Sequence, residues 1–445
     1  MDGLIMTGQL LLGLSILIIL HEAGHFFAAR AFGIRVEKFY LFFDAWGFKL
    51  FSFNYKGCEY GIGWLPLGGY VKISGMIDES MDSEQLAGPP QPWEFRSKPA
   101  WQRLIVMLGG VTVNIVLGIF IFWMLTLKNG ETFIPNDKLP DGIAPGLIGK
   151  EIGLQTGDRI TAVNGISVLR FDELTSSKVL LGNTELSVAR GSEIKTIQVP
   201  GDILERVSDL GIGQFVEPRV KMSGIVQIAP GGNAAKAGLQ KGDSILAVNN
   251  KAITFYDEFK AEVQSKKNKT VAISLIRNNQ TMELPTQVSE DGTVGVYISP
   301  YFNIPIETVN YGLIGSLPVG ASKAWGSFMD NAKGLGKVAS GQVKANKAFT
   351  GPIGIATMFG ATVDWVKFWS LVGLLSMALA LMNLLPIPAL DGGHAIFLLI
   401  EMVKGKPLGD KFMERAQMVG FVILVTLMVF VFGNDIIKHV INCSR

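Results

Sequence analysis

His21-Glu22-Ala23-Gly24-His25 sets two imidazoles four residues apart with a carboxylate beside the first. On a helix, residues four apart share a face, so both rings can reach one cation, and Glu22 lies where it can take a proton from water activated by that cation. Zinc brings the ionisation of water near neutral pH, and a neighbouring carboxylate can pass the proton on to a leaving amine; the chemistry is hydrolysis. Two histidines are one protein ligand short, because catalytic zinc sites carry three plus water. The best third candidate is Asp391, in Asn383-Leu384-Leu385-Pro386-Ile387-Pro388-Ala389-Leu390-Asp391-Gly392-Gly393-His394. The two prolines stop a regular helix and the glycine pair lets the backbone turn, so the segment should unwind and present Asp391 inward. His394 is a rival ligand, but a carboxylate beside two imidazoles reproduces a common catalytic set. Asn383 could hydrogen-bond a substrate backbone or a developing oxyanion, or else stabilise helix packing. Gly109, Gly110 and Asn114 read as close-packing and polar positions near the same centre, with Asn114 also a candidate substrate contact. His439 stands alone and reads as exposed to solvent.

The elements that must position these groups belong to a membrane. Only 18% of the 445 residues are charged, against about a quarter in soluble proteins. Four apolar stretches approach the length of about twenty residues needed to span a bilayer: 4–20 continuing to 32, 104–127, 368–385 and 417–432. The first lacks a basic leader and a small-residue cleavage site and carries the reactive residues, so it is expected to be retained. Ionisable groups inside such a span are costly unless paired or ligated, which marks them as functional. Arg30, Arg35, Lys38, Arg96, Lys98 and Arg103 flank the first two spans, and Lys404, Lys406 and Lys411 lie between the last two. Both loops are therefore expected in the cytoplasm, with both termini and region 128–302 outside. A net charge of +2 gives no electrostatic case for nucleic-acid binding. Cys58 and Cys443 fall on opposite faces of this topology, so no disulfide framework is expected.

From Val36 to Ser74, aromatic and β-branched residues alternate with glycine turns, which predicts β-hairpins too apolar for an ordinary loop and dipping into the membrane. In the polar region, Gly153-Leu154-Gln155-Thr156-Gly157-Asp158-Arg159-Ile160 recurs as Gly238-Leu239-Gln240-Lys241-Gly242-Asp243-Ser244-Ile245, predicting two tandem small domains. Their pattern resembles the PDZ domain, which takes an extended peptide along a sheet edge. Residues 311–347 fit an amphipathic segment at the membrane surface. The expected fold class is a polytopic α-helical membrane protein, with four transmembrane helices, membrane-associated β-hairpins and two PDZ-like α+β domains.

In their order along nearly the whole chain, these motifs resemble the site-2 protease family of intramembrane zinc metalloproteases. The shared features are the zincin helix, Pro66-Leu67-Gly68-Gly69-Tyr70-Val71, the tandem domains, Gly351-Pro352-Ile353, and the Asn383 to His394 segment. The resemblance implies Zn2+ held by His21, His25 and Asp391, Glu22 as general base and Asn383 as a substrate-binding residue. It implies single-span membrane substrates already trimmed by another protease, notably an anti-sigma factor and also remnant signal peptides, in a bacterial inner membrane. The implied division is 1–127 for the first two spans, 128–219 and 220–302 for the PDZ-like domains, 303–350 for the surface linker and 351–445 for the last two spans. Two positions depart from the family: Val111 follows Gly110 where proline is usual, and Phe42-Phe43-Asp44 replaces a glycine-rich hairpin entry. A local unwinding step is required of any helical substrate, and strands around Gly61 to Ile73, with Gly68, Gly69 and Val71, are expected to pair with it. Two other classes fit parts of the sequence. One is a non-enzymatic adaptor using the PDZ pair; the other is a metal transporter, disfavoured because the spans show no repeat.

Overall fold

The computed structural model describes residues 2–66, 68–76, 88–229, 231–298 and 304–438, without the side chains of 347, 348, 410 and 411. Leu67, His439 and Cys443, named above, lie outside the described residues. The chain forms two units, Met1–Gly130 with Asn310–Arg445, and Glu131–Val309. In the first unit the helices are α1 (Asp2–Ala31), α2 (Ala100–Asn129), α3 (Leu313–Ala339), α4 (Pro352–Phe359), α5 (Trp365–Leu384), α6 (Asp391–Lys404) and α7 (Asp410–Ile436). Four of them, α1, α2, α5 and α7, are long and apolar enough to cross a membrane.

Lipid tails are as apolar as leucine, so helices in a bilayer associate through close packing rather than through the hydrophobic effect. Glycine supplies the close approach. A Cβ at Gly24 of α1 would lie 2.4 Å from the backbone oxygen of Gly109 on α2, so these helices cross backbone to backbone. Farther along α2, a Cβ at Gly118 would strike Met377 Sδ on α5 at 2.4 Å, and one at Gly320 of α3 would strike Trp123 of α2 at 2.5 Å. Helix α2 is thus the post on which α1, α3, α5 and α6 lean. Segment 311–347, expected at the membrane surface as an amphipathic stretch, contains α3, whose Ser316, Gly320, Ala324 and Phe328 are buried on packing against α2 and α5. Small residues four apart make that stripe flat enough to dock lengthwise. The carboxylate of Asp435 on α7 accepts from the N–H groups of Ile353 at 2.6 Å and Gly354 at 3.2 Å, capping the start of α4.

Between α1 and α2 lies a four-stranded sheet of β1 (Val36–Leu41), β2 (Lys49–Tyr55), β3 (Cys58–Gly63) and β4 (Tyr70–Ile73), in the order β2-β3-β1-β4. Only β2 and β3 form a tight hairpin, through Lys56 and Gly57 at φ 48° and 75°; β1 runs parallel to β3 and antiparallel to β4, so the segment is a mixed sheet rather than a set of hairpins. Strands β2 and β4 are its edges. Trp46, Phe48, Leu50, Phe51 and Phe53 are exposed on the β2 side. Val36, Cys58, Val71 and Ile73 pack with Ala29, Val106 and Leu398, fixing the other end of the sheet against the helices.

In the second unit, the strand pair Glu131–Phe133 with Glu307–Val309 extends the folded region beyond 302. Two blocks follow. Strands Arg159–Val163, Ile166–Ser167, Thr184–Arg190 and Glu193–Val199 form one sheet, and Ser244–Val248, Lys251–Ala252, Thr270–Arg277 and Gln280–Gln287 form another with the same neighbours. Asp158 and Asp243, each 1% exposed, explain the Gly-Asp turns. Asp243 accepts from Arg277 Nε and Nη2, both at 2.7 Å, and from Gln240 N at 2.8 Å; Asp158 is held likewise by Arg190 and Gln155. Such bidentate, charge-assisted pairs fix geometry as well as adding energy. Each block has its own core, and Tyr256 packs against both.

The Arg277 guanidinium holds the Asp243 carboxyl below its ordinary value. A depressed folded value means that the pair stabilises the second block above the unfolded value of about 4, and the contribution is lost as pH falls further. Asp243→Ala should cost about 1–2 kcal/mol near pH 7, speeding hydrogen exchange in strands Ser244–Val248 and Thr270–Arg277 of the intact protein. The difference between variant and wild type should shrink as pH falls below about 4; equal exchange in the two at pH 7 would refute the assignment.

Candidate metal centre

His21 and His25 project from α1 toward α2 at the Gly24–Gly109 crossing, and the glycine after that crossing leaves them room. A Cβ at Gly110 would fall 2.5 Å from His21 Cε1 and 2.5 Å from His25 Nε2. His25 is further fixed by its Nδ1, 2.8 Å from the Val106 carbonyl oxygen. That oxygen can only accept, so Nδ1 carries the proton and Nε2 presents its lone pair.

Asp391 arrives from the opposite side. Helix α5 ends at Leu384, the chain is non-helical over 385–390, and α6 begins at Asp391 itself. Pro386 and Pro388 break the ladder. The glycine pair acts differently from the expected turn: both residues are helical, and added Cβ atoms would strike Leu384 O at 2.4 Å from Gly392 and Ile387 O at 2.2 Å from Gly393. Gly392 and Gly393 therefore let the first turn of α6 fold back onto the unwound segment.

The result is a triangle. Asp391 Oδ2 lies 3.3 Å from His21 Nε2 and 3.3 Å from His25 Nε2, and the two Nε2 atoms are 3.3 Å apart. Donors in a tetrahedral site with bonds of about 2.0 Å stand about 3.3 Å from one another. Asp391 Oδ2 is buried without a hydrogen-bond partner, an arrangement that costs free energy unless a cation satisfies the oxygen. Among the described residues, His21, His25 and Asp391 form the group able to hold a metal ion, and the donor set suits zinc. His394 stays outside that group, with Nδ1 3.4 Å from the Leu390 carbonyl oxygen.

Around the triangle is a cavity of about 950 Å3. Glu22, Gly68, Gly69, Val71, Asn114 and Asn383 all line it. Asn383 Nδ2 is 3.2 Å from His21 Nε2, and Asn114 Nδ2 is 3.1 Å from His21 Nδ1. A Cβ on Gly69 would meet Ile18 Cγ2 at 2.5 Å and Glu22 Cγ at 3.5 Å, so the approach to β4 lies directly on the α1 turn that carries Glu22. Where the family's glycine-rich entry is replaced, Phe42 adopts φ 67°, Phe43 stacks on Tyr70 at 6.0 Å, and the Tyr70 hydroxyl donates to Asp44 Oδ1 at 2.9 Å. The Val106 carbonyl and the contact of Asn114 with His21 are absent from the sequence reading. The first is a backbone group, and the second depends on the helix crossing.

Buried metal-binding donors, an adjoining carboxylate and helices apolar enough for a bilayer define a membrane metallohydrolase. The pattern of peptidase family M50 matches residues 9–427, and the chain belongs to that family, the site-2 type zinc metalloproteases. It is similar to the regulator of sigma E protease of Haemophilus influenzae, 30% identical with 97% of this chain and 98% of the relative covered. It is also similar to the regulator of sigma-E protease RseP of Salmonella typhimurium (strain 14028s), 31% identical, and of Escherichia coli K12, 30% identical; each match covers 96% of this chain and 97% of the relative. Membership of a peptidase family sets the adaptor and transporter readings aside.

Gly110→Ala should displace both pinned imidazoles and lower zinc retention at least about tenfold, whereas Gly8→Ala, with nothing within 4 Å of the new methyl, should leave it unchanged. Metal analysis of the purified variants measures both; full zinc content in Gly110→Ala would contradict the packing described.

Proposed function

We propose that this protease cuts within the transmembrane segment of single-span membrane proteins, with His21, His25 and Asp391 holding zinc, Glu22 as general base and Asn383 as a substrate-binding residue. The observation that carries the reading is the 3.3 Å triangle formed by the two Nε2 atoms and an Asp391 oxygen that makes no hydrogen bond, with Glu22 on the same cavity wall. Zinc bound there would supply an acidified water and polarise the scissile carbonyl. Glu22 takes the proton and returns it to the leaving nitrogen. The Asn383 amide donates to the substrate backbone or to the oxygen on which charge develops.

A substrate helix has its peptide groups engaged in its own hydrogen bonds and must unwind to react. Strand β4 is a sheet edge next to Glu22, and added-strand pairing there replaces the hydrogen bonds lost on unwinding. Gly68, Gly69 and Val71 are the contact positions. The exposed aromatic residues beside β2 support a sheet that dips into the bilayer.

Blocks 128–219 and 220–302 are two tandem PDZ-like domains, a reading supported by their matching strand neighbours and Asp–Arg locks. Residues 1–127 carry the first two spans, 303–350 the amphipathic linker whose α3 packs along α2 and α5, and 351–445 the last two spans. The basic flanks argue for the PDZ-like domains and both termini on the outer side and the active site toward the cytoplasm, and the named relatives support a bacterial inner membrane, which makes the outer side the periplasm. The relatives are named for regulating sigma E, which supports a pre-trimmed anti-sigma factor as substrate, with remnant signal peptides as a second group.

Glu22→Gln should retain zinc and lose cleavage of a model transmembrane substrate by about 100-fold or more; a variant that cuts normally would remove Glu22 from the mechanism. Val71→Pro should slow cleavage about tenfold by deleting an edge hydrogen bond with zinc content intact, and unchanged cleavage would sink the strand-pairing model.

A further inference from the structure

We infer that Asn114 is a positioning residue for His21, its side-chain oxygen accepting the imidazole Nδ1–H and so turning the Nε2 lone pair toward the metal site. The inference rests on the reading of His21 as a metal ligand. A ring that gives its lone pair at Nε2 keeps its proton on Nδ1, and that proton needs an acceptor. Facing it from α2 is Asn114, 1% exposed, with its terminal amide 3.1 Å away.

A half-turn about the last side-chain bond exchanges the amide nitrogen and oxygen. With nitrogen toward the ring, Nδ1–H and the amide N–H meet as two donors, and Asn114 Oδ1 is buried without a partner. With oxygen toward the ring, an N–H···O bond forms and the orphaned acceptor is used. The neighbouring ligand already follows this rule: His25 Nδ1 lies 2.8 Å from the Val106 carbonyl oxygen, two turns earlier on α2. Both imidazoles would then be oriented by oxygens of one helix. The backbone behind Asn114 is itself held, because Ser376 Oγ on α5 donates to the Asn114 carbonyl at 2.7 Å in a buried hydrogen bond.

The test uses the full-length protein in detergent, measuring the zinc dissociation constant by chelator competition and the ligand-field spectrum after loading with Co2+. Asn114→Leu keeps the γ-branched shape and removes the acceptor; it should weaken zinc about 10-fold to 100-fold and shift the cobalt spectrum. Asn114→Asp keeps the acceptor without the amide nitrogen and should restore affinity to within about threefold of wild type. Asn114→Ala reads the same quantity if the leucine variant does not fold. Wild-type affinity in the leucine or alanine variant, alongside lost zinc in His21→Ala, overturns the positioning role alone. Equal weakening in the aspartate and leucine variants overturns the acceptor role. Zinc retained in His21→Ala overturns the ligand reading and this inference with it.

Discussion

The whole site depends on how closely α1 and α2 approach at Gly24 and Gly109. Each glycine lies with its Cα against the other's carbonyl, and an added Cβ would be 2.4–2.6 Å from backbone oxygen on either side. Only at that separation can His25 reach the Val106 carbonyl and both imidazoles lie over Gly110. A membrane offers little else to force two helices so near, since apolar side chains gain nothing by leaving lipid. Loss of side chains, more than addition of contacts, creates room for the chemistry.

The third donor obeys a complementary constraint. Asp391 opens a helix that starts after six non-helical residues, and an irregular backbone at membrane depth survives only where protein or a wet cavity satisfies it. Here the cavity that receives Asp391 is the one lined by Glu22 and β4. The broken segment thus presents the carboxylate to that cavity while satisfying part of its own backbone, with Ile387 N–H donating to the Leu385 carbonyl and Leu390 N–H to the Ile387 carbonyl, both at 2.8 Å. Helix α2 joins the two sides, since it packs on α1, α5 and α6.

Much of the centre was legible because its signals are local. The spacing of His21 and His25 states that they share a helix face, and Pro386 with Pro388 states that a helix ends. What escaped depends on distant neighbours. The partner of Asp243 is Arg277, 34 residues on, and nothing in the Gly-Asp turn names it. Gly392 and Gly393 were noticed, but the reason for them is contact with Leu384 and Ile387 rather than a turn, which only the folded path reveals. The fit of the amphipathic α3 segment to α2 comes from the shape of the Ser316-Gly320-Ala324-Phe328 stripe, which hydropathy does not register. The sheet order is hidden as well, because β1 lies parallel to β3 only after the chain reverses twice, over 42–48, where Phe42, Trp46 and Gly47 take positive φ, and again at Lys56 and Gly57; alternation within a strand does not state this.

Tyr256, partly buried and packed against the cores of both blocks of the second unit, gives that unit a property neither block has by itself. Stacked modules that share an interface melt with a nearest-neighbour coupling, so their free energies do not simply add. Opening of the second block withdraws a ring from the wall of the first. A loss of order that begins at Asp243 therefore also strips a contact from the first core, so the two blocks lose order together rather than one by one.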